Sequence, residues 1–220
     1  CMRALEGVLP WLPLVLALSA NSPYLVGEET GLASARAEVL AQLPRAAAPP
    51  VFATYANWEA FVERYVRLGL ADGYTRFWWD ARPHPKFGTL EIRAPDQPTA
   101  VELSAAFAAL LQALAKTSVE GSPPAPADRG DYAQNRWAAL RFGPRAKLIH
   151  PRGDRLATVP DLTTELLELV EPAVRELGTE GVLSVLDPSG SEGDRQVEVG
   201  RERGLEAVAA DLAERTVRSG

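Results

Sequence analysis

The sequence predicts a helix-rich protein of the α+β class. Helical periodicity covers most of the 220 residues, whereas only residues 76–80 and 88–93 have the clustered or alternating bulky side chains of strands. The composition, with 46% hydrophobic and 24% charged residues, is that of a folded globular chain. A chain of this length can bury the core of one domain.

The first predicted helix, residues 8–20, is expected to be buried. Its apolar run, residues 8–18, contains Pro10 and Pro13 and is shorter than the about 20 residues that a membrane span needs. A signal peptide is also disfavoured, because the opening residues carry one cation, closely followed by Glu6. We therefore expect a core helix and no membrane partner.

Cys1 precedes the first methionine, which leaves two explanations. The chain is a piece of a longer protein, or it is a processed lipoprotein whose first residue carries a lipid. We favour the first, because residues 8–18 resemble a core helix rather than a tether. As the single cysteine, Cys1 allows neither an intrachain disulfide nor a thiolate metal cluster, which fits a reducing cytoplasm.

Two further helices precede the predicted strands. Residues 30–43 form the first, which ends near Pro44 and leads into a proline- and alanine-rich surface connection, residues 44–50. Asn57 is predicted to cap the second, and Gly69 to stop it. The second helix has one apolar face, formed by Trp58, Phe61, Val62, Tyr65 and Leu68.

The two predicted strands, residues 76–80 and 88–93, are joined by a loop that contains Pro83 and Pro85. Two strands alone do not make a stable sheet. We therefore expect them to pair with further strands that lie upstream of Cys1.

A long alanine- and leucine-rich helix is predicted to begin at Thr99, with Glu102 in the capping-box position. Gly121 is its predicted end. The linker that follows, residues 122–126, is rich in proline, which indicates an irregular surface segment.

The remainder of the chain is predicted to be helical as well. Asp131 and Gln134 form a second capping-box pair, and the helix that they start ends at Gly143. Residues 161–177 form another helix. The charged tail, residues 193–217, has one apolar helical face, formed by Leu205, Val208 and Leu212.

The net charge of −6 disfavours a general nucleic-acid-binding surface, because a polyanion would be repelled overall. It does not disfavour a small anionic ligand held by a local group of cations. Residues 76–93 contain such a group, because they carry four cations and only two carboxylates.

The second predicted strand has the clearest chemical pattern. Side chains alternate along a strand, so Thr89, Glu91 and Arg93 share one face, while Leu90 and Ile92 face a core. A carboxylate beside a guanidinium suits a magnesium–triphosphate group, since the carboxylate binds the metal and the arginine binds phosphate oxygens. The alternative is a solvated sheet face with a surface ion pair.

Six blocks stand out in order along the chain: LSANSPY at 18–24, TGLASAR at 30–36, WDARP at 79–83, GTLEIR at 88–93 with Asp96 and Thr99 after it, NRWAALRFG at 135–143 and GDRQ at 193–196. Together they resemble the bacterial carboxylate–amine ligase family, which is related to plant and proteobacterial glutamate–cysteine ligases. The resemblance runs from about residue 9 to the end of the chain.

The resemblance implies a glutamine-synthetase-like fold, a curved antiparallel sheet with outer helices. Residues 1–220 would be its helix-rich C-terminal part, mainly helical over 130–220. It also implies ATP and Mg²⁺ as cofactors, and an acyl phosphate that an amine displaces, with glutamate and cysteine as the usual substrates. The implied partners are these small molecules and, as an open possibility, further copies of the chain.

The resemblance also implies roles for individual residues. The implied roles are catalysis for Arg82 and Arg93, metal binding for Glu91, substrate binding for Ser19, Asn21, Arg36, Trp79 and Asp80, and closure over the site as a lid for Asn135 and Arg136. Helix packing and surface charge are the alternative explanation for the last two.

The sequence departs from the family at its metal motifs. The family's Gly-x-Glu-x-Glu and His-x-His strands are absent, and His84 and His150 are isolated residues beside prolines, expected to lie in loops. We therefore expect the chain alone to be inactive, since one carboxylate holds Mg²⁺ poorly. One alternative is a non-catalytic subunit that needs a separate N-terminal half. Another is a phosphagen-kinase-like phosphotransferase, which is disfavoured because the sequence has no reactive cysteine loop.

Overall fold

The computed structural model describes residues 1–218. The helices are α1 (Met2–Val8), α2 (Leu12–Ser19), α3 (Ala35–Ala41), α4 (Tyr55–Arg67), α5 (Val101–Glu120), α6 (Arg129–Phe142), α7 (Val159–Leu177), α8 (Glu180–Leu183), α9 (Glu192–Arg203) and α10 (Leu205–Arg218). The strands are β1 (Tyr24–Leu25), β2 (Glu28–Glu29), β3 (Ala81–His84), β4 (Thr89–Ile92), β5 (Lys147–Ile149) and β6 (Leu156–Thr158). The predicted helix-rich α+β class is confirmed.

The apolar N-terminal segment forms the centre of the core. Met2–Ser19 is long and apolar enough to cross a membrane, yet 78% of it is buried inside the protein. The 3-10 turn Leu9–Trp11 divides it, since Pro10 and Pro13 cannot donate backbone hydrogen bonds. The predicted buried helix is confirmed, as two short helices rather than one.

The main core lies between this segment and three long helices. α1 packs on α5, α2 packs on α6, and α5 packs on α7. Leu5, Leu12, Leu114 and Leu162 are all fully buried there. Burying a leucine of this kind contributes about 1.5–3 kcal/mol, so this layer supplies much of the driving force for folding.

A second, smaller core is aromatic and lies under α4. Trp58 and Val62 of the predicted apolar face are buried there, with Phe52, Phe77 and Trp79. Leu68, predicted for the same face, is 59% exposed. The helix cap was also predicted wrongly: Thr54 is the N-cap, and Asn57 returns a hydrogen bond from the third helical position.

Other predicted helix starts are shifted as well. α3 begins after Ser34, because the Thr30 hydroxyl donates to the Pro23 carbonyl and residue 31 turns with a positive φ. α6 begins after Asp128, whose carboxylate accepts from two backbone N–H groups, so the predicted pair Asp131 and Gln134 lies inside the helix. α7 begins two residues early, after Thr158.

α5 has no capping box. Ala100 is its N-cap, and Glu102 is exposed and makes no cap hydrogen bond. The carboxylate of Glu192 accepts from the Thr99 and Ala100 N–H groups instead, although it lies 93 and 92 residues later in the sequence. The predicted end at Gly121 is confirmed.

The strands of residues 1–218 form three separate antiparallel hairpins, β1–β2, β3–β4 and β5–β6. In β3–β4, Arg82 lies opposite Glu91, and His84 lies opposite Thr89. The first strand was predicted at residues 76–80, but it begins at Ala81. Phe77 and Trp79 pack into the aromatic core instead of pairing. Pairing with strands upstream of Cys1 stays a prediction.

Candidate functional site

Glu91 and Arg93 lie on the same side of the β3–β4 hairpin, as their spacing predicts. Arg93 Nε is 3.6 Å from Glu91 Oε1, and about 30% of each side chain is exposed. Leu90 and Ile92 are half-buried and pack against the main core. The predicted division of the strand into a polar and an apolar face is confirmed.

Arg82 binds Glu91 through both nitrogens of a fork. Nε is 2.8 Å from Oε2, and Nη2 is 3.1 Å from Oε1. The third nitrogen, Nη1, donates to the carbonyl oxygens of Thr75 and Phe77, and Arg82 is 6% exposed. In this arrangement Arg82 is a buried support that orients Glu91 rather than a free cation.

Arg93 is the cation with spare bonding capacity. Its Nη1 is buried and has no hydrogen-bond partner within residues 1–218. Burial, together with neighbouring Arg82 and Arg36, lowers the pKa of Arg93, although Glu91 opposes this effect. A buried donor that lacks a partner gains from an acceptor, so this guanidinium has the capacity to bind one.

Three of the five predicted substrate-binding residues, Ser19, Asn21 and Arg36, meet at Asp96. The Asp96 carboxylate accepts from the Asn21 N–H at 2.9 Å and from Arg36 Nη1 at 3.1 Å, and the Asp96 N–H donates to Ser19 Oγ. Ser22 and Ser34 donate to the same carboxylate, which is 2% exposed. These polar groups are therefore used inside the fold. Asp96 was not predicted as a site residue; the available signal was the block rich in Ser and Asn at residues 18–24.

Arg36 links this cluster to the end of β4. Its Nη2 donates to the Arg93 carbonyl at 2.8 Å, and its Nη1 donates to the Ala94 carbonyl at 3.3 Å. The backbone that carries Arg93 is thereby held to the Asp96 cluster.

Trp79 and Asp80 face different surroundings. Trp79 packs in the aromatic core, whereas the Asp80 carboxylate binds Tyr132 Oη at 2.6 Å and Arg136 Nε at 2.7 Å. Burial and the Asp80 charge raise the pKa of Tyr132 well above its usual value. Burial alone would lower the pKa of Arg136. The neighbouring Asp80 carboxylate outweighs this effect, so the pKa of Arg136 is raised.

Asn135 and Arg136 do not have the geometry of a lid. Both are buried, at 6% and 5% exposure. Asn135 exchanges two hydrogen bonds with the backbone of Ile149, and Arg136 also donates to the Ala37 carbonyl. The structure supports the alternative of helix packing, because both side chains join α6 to neighbouring elements.

The two histidines lie on separate hairpins. His84 ends β3 rather than lying in a loop, with Nε2 2.9 Å from Tyr74 Oη, and His150 Nε2 is 2.6 Å from a carboxylate oxygen of Glu165. Within residues 1–218 no three potential metal-ligating side chains come together. Glu91 is thus a single carboxylate already bound by arginines, and the described residues do not fit a complete Mg²⁺ site.

The fold is shared with a glutamate–cysteine ligase. The 2.0 Å crystal structure of that enzyme from Francisella tularensis, in complex with AMP, superposes with a TM-score of 0.60. The match covers 99% of this chain and 57% of that chain, at 15% sequence identity. At this identity, the likeness is one of fold.

Sequence comparison places the chain in a family. The profile of glutamate-cysteine ligase family 2 matches residues 1–212. Two provisionally named relatives from Rubrobacter xylanophilus, glutamate–cysteine ligases 2-3 and 2-1, are 42% and 40% identical over 98% and 90% of this chain. The chain belongs to glutamate-cysteine ligase family 2. It spans 60% and 54% of the lengths of these two relatives.

Proposed function

We propose that this chain is part of an ATP-dependent carboxylate–amine ligase of the glutamate–cysteine ligase type. The family match over residues 1–212 carries the proposal. The AMP bound by the Francisella tularensis enzyme supports the use of an adenine nucleotide. In the same proposal, residues 1–220 are the C-terminal portion of one glutamine-synthetase-like domain. Strands β3 and β4 would then be part of the curved sheet of that domain.

The reaction would proceed through an acyl phosphate. A carboxylate is a poor acyl donor, because its oxygen is a poor leaving group. Transfer of the ATP γ-phosphoryl group to one carboxylate oxygen makes that oxygen part of a good leaving group, phosphate. The amine then forms the amide bond and expels phosphate, and the protein must stabilise negative charge throughout.

The chain's own residues would divide this work on the β3–β4 face. The buried Nη1 of Arg93 has no partner in the described part of the chain, so Arg93 would bind phosphoryl or carboxylate oxygens. Glu91 would face the metal, and Arg82 would keep its carboxylate oriented. Mg²⁺ would screen phosphate charge when bound, but it requires further ligands from outside the described residues.

A second candidate is a C-terminal subunit or interaction module that acts only with a separate N-terminal half. Its support is the share of the relatives' length that the chain spans, together with the single metal-facing carboxylate. Two clefts formed by described residues, of about 610 and 560 Å³, are lined by residues other than Arg82, Glu91 and Arg93. A nucleotide on the β3–β4 face would thus need a covering surface from elsewhere.

The decisive experiment compares the chain of residues 1–220 with a complete protein. The complete protein also contains the N-terminal part that the longer relatives have. With glutamate, an amine and Mg²⁺, we expect ATP-dependent phosphate release and amide formation from the complete protein and neither from the chain alone. Activity restored by adding a separate N-terminal half would support the second candidate. Lack of turnover by the complete protein with all tested amino-acid pairs would contradict the ligase. The proposal also includes a cytoplasmic location and a step towards glutathione.

A further inference from the structure

One face of α9 lies against the segment of residues 20–24. Gly193 and Gly200 are seven residues apart and therefore share a side of the helix. A methyl group on Gly193 would be 2.9 Å from the Ala20 carbonyl oxygen, and one on Gly200 would overlap the Tyr24 hydroxyl. The Gly193 N–H also donates to that Ala20 oxygen. The absence of side chains at these two positions permits the close approach.

Gln196 lies between the two glycines on the same face. Its Nε2 donates to the Asn21 backbone oxygen at 2.8 Å and to Asn21 Oδ1 at 2.6 Å. The side-chain nitrogen of Asn21, Nδ2, donates in turn to the Gln97 carbonyl and to Thr99 Oγ1. Since Gln196 is 8% exposed, replacing its donor would leave Asn21 acceptors without a partner.

The first residue of α9, Glu192, binds the backbone of residues 99–100. The Glu192 carboxylate accepts from the Thr99 N–H at 2.6 Å and from the Ala100 N–H at 3.2 Å. Arg215 of α10 donates to this carboxylate. α9 thus binds residues 20–21 through Gly193 and Gln196, and residues 99–100 through Glu192.

The contacts continue from Asp96 to the candidate site. Asn21 and Ser22 donate to the Asp96 carboxylate, as does Arg36, which also donates to the Arg93 carbonyl. Every link in this series is a hydrogen bond of 3.1 Å or less. A continuous series of hydrogen bonds thus connects Asn21, which α9 holds, with the backbone of Arg93.

We infer that α9 is a positioning element for the β3–β4 site and that Gln196 is its principal positioning residue. The helix acts through Asn21, Asp96 and Arg36 on the backbone of Arg93 without contacting substrate. The inference rests on the proposed function for what the site does, but not for the mechanical connection itself.

The connection is tested by hydrogen exchange in the complete protein, followed in peptides that cover residues 18–25 and 93–98. Gln196→Glu replaces a donor by an acceptor that faces two acceptors. We expect about tenfold faster exchange in both peptides. Glu198→Gln, on the exposed side of α9, is the matched control and should leave both peptides unchanged.

A second variant guards against a folding defect. Gly193→Ala should move α9 away from the Ala20 backbone and give the same pattern, whereas Gly181→Ala, with open space around it, should not. Faster exchange confined to residues 18–25 would overturn the inference. An equal increase in α5 and α7 peptides would also overturn it, because α9 would then be a general stabiliser.

Kinetics distinguish positioning from stability alone. In the complete enzyme, Gln196→Glu should raise the KM for the carboxylate substrate about fivefold or more, with a smaller change in kcat. A KM equal to that of Glu198→Gln would count against positioning. If the unmodified complete protein catalyses no ligation, the proposed function fails, and the exchange experiment still decides the role of α9.

Discussion

Glu91 is shared by two arginines of different character. Arg82 is buried and uses all three nitrogens within the fold, whereas one nitrogen of Arg93 has no hydrogen-bond partner among residues 1–218. The ion pair of Arg82 and Glu91 is therefore a fixed support. The hydrogen-bond donor that is still available in this cluster belongs to Arg93. The sequence did not show this distinction, because the alternating pattern covers residues 89–93 and Arg82 was predicted to lie in the loop before them.

Replacing Glu91 tests the metal-facing role. Glu91→Gln keeps the side-chain volume and one oxygen acceptor for Arg82 but removes the charge. In the complete protein we expect ATP-dependent amide formation to fall by about a hundredfold or more, since metal screening contributes several kcal/mol. Circular dichroism should show an unchanged fold. Glu102→Gln, on the exposed side of α5, is the control, and near-normal turnover of Glu91→Gln at saturating Mg²⁺ would remove Glu91 from the site.

Replacing Arg93 tests anion binding. Arg93→Lys keeps the charge but removes the planar fork, so two oxygens can no longer be bound together. We expect the KM for ATP or for the carboxylate to rise about tenfold, through loss of a charge-assisted hydrogen bond. Arg64→Lys, on exposed α4, is the matched control. Equal kinetics for the two variants would contradict the assignment.

Tyr132 provides a test by pH. Its raised pKa means that the folded protein keeps this proton where the unfolded chain releases it. The associated stability is present below about pH 10 and is lost as the pH rises further. In an absorbance titration, we expect Tyr132 to ionise only on unfolding.

The matched variant for this titration is Tyr132→Phe. Because the chain has five tyrosines, the variant should lose one fifth of the total titration signal, and all of this loss should fall in the part that appears on unfolding. The signal that appears before unfolding should be the same in both proteins. A smaller early signal in the variant would show that Tyr132 titrates freely in the fold.

At the scale of elements, helix ends were harder to predict than helices. A capping box is a local pattern, and the pair Asp131–Gln134 fits it in the sequence. In the structure, Asp128 accepts from the N–H groups of Gly130 and Asp131 and starts α6 a turn earlier. At α5, the place of a cap is taken by Glu192 from a distant helix. Local patterns do not contain such contacts.

The two candidate caps of α6 can be compared directly. Asp128→Ala should destabilise the protein by about 1 kcal/mol, because two backbone donors lose their acceptor. Asp131→Ala should have a smaller effect, since its side chain lies inside the first turn. Urea unfolding of both variants measures the difference. A larger loss for Asp131→Ala would restore the predicted capping box.

At the scale of the whole molecule, Asp80 lies where the two cores meet. Trp79 before it belongs to the aromatic core, and Ala81 after it belongs to the main core. The Asp80 backbone also pairs with Ala47 and with Arg93. Its carboxylate joins this junction to α6 through Arg136. One buried ion pair thus connects both cores, the hairpin and a long helix.

Breaking this ion pair should therefore be costly. Asp80→Asn leaves the Arg136 charge buried without its partner, so we expect a loss of about 3–5 kcal/mol in the free energy of unfolding. Asp72→Asn removes an exposed ion pair with Arg76 and should cause no measurable change. Urea titrations of both variants provide the comparison. Similar stabilities for the two variants would contradict the proposed junction.

The sequence by itself determined the helix-rich class, the buried N-terminal segment, the face shared by Glu91 and Arg93, and the family. Each depends on composition, periodicity or an ordered set of motifs, which are properties of neighbouring residues. The tertiary structure decided which charges are free. In the structure, hydrogen bonds to Asp96, Asp80 or backbone are made by all five residues that were predicted to bind or cover substrate, and their substrate roles stay predictions: Ser19, Asn21, Arg36, Asn135 and Arg136.

The physical reason is that a polar side chain has few hydrogen bonds to make, and its partner can lie anywhere in the chain. Asn21 is satisfied by Gln97, Thr99 and Gln196, up to 175 residues away. Burial favours such internal partners, because an unpaired buried group costs about 1–3 kcal/mol. Only the folded arrangement reveals that Arg93 keeps a nitrogen without a partner among the described residues.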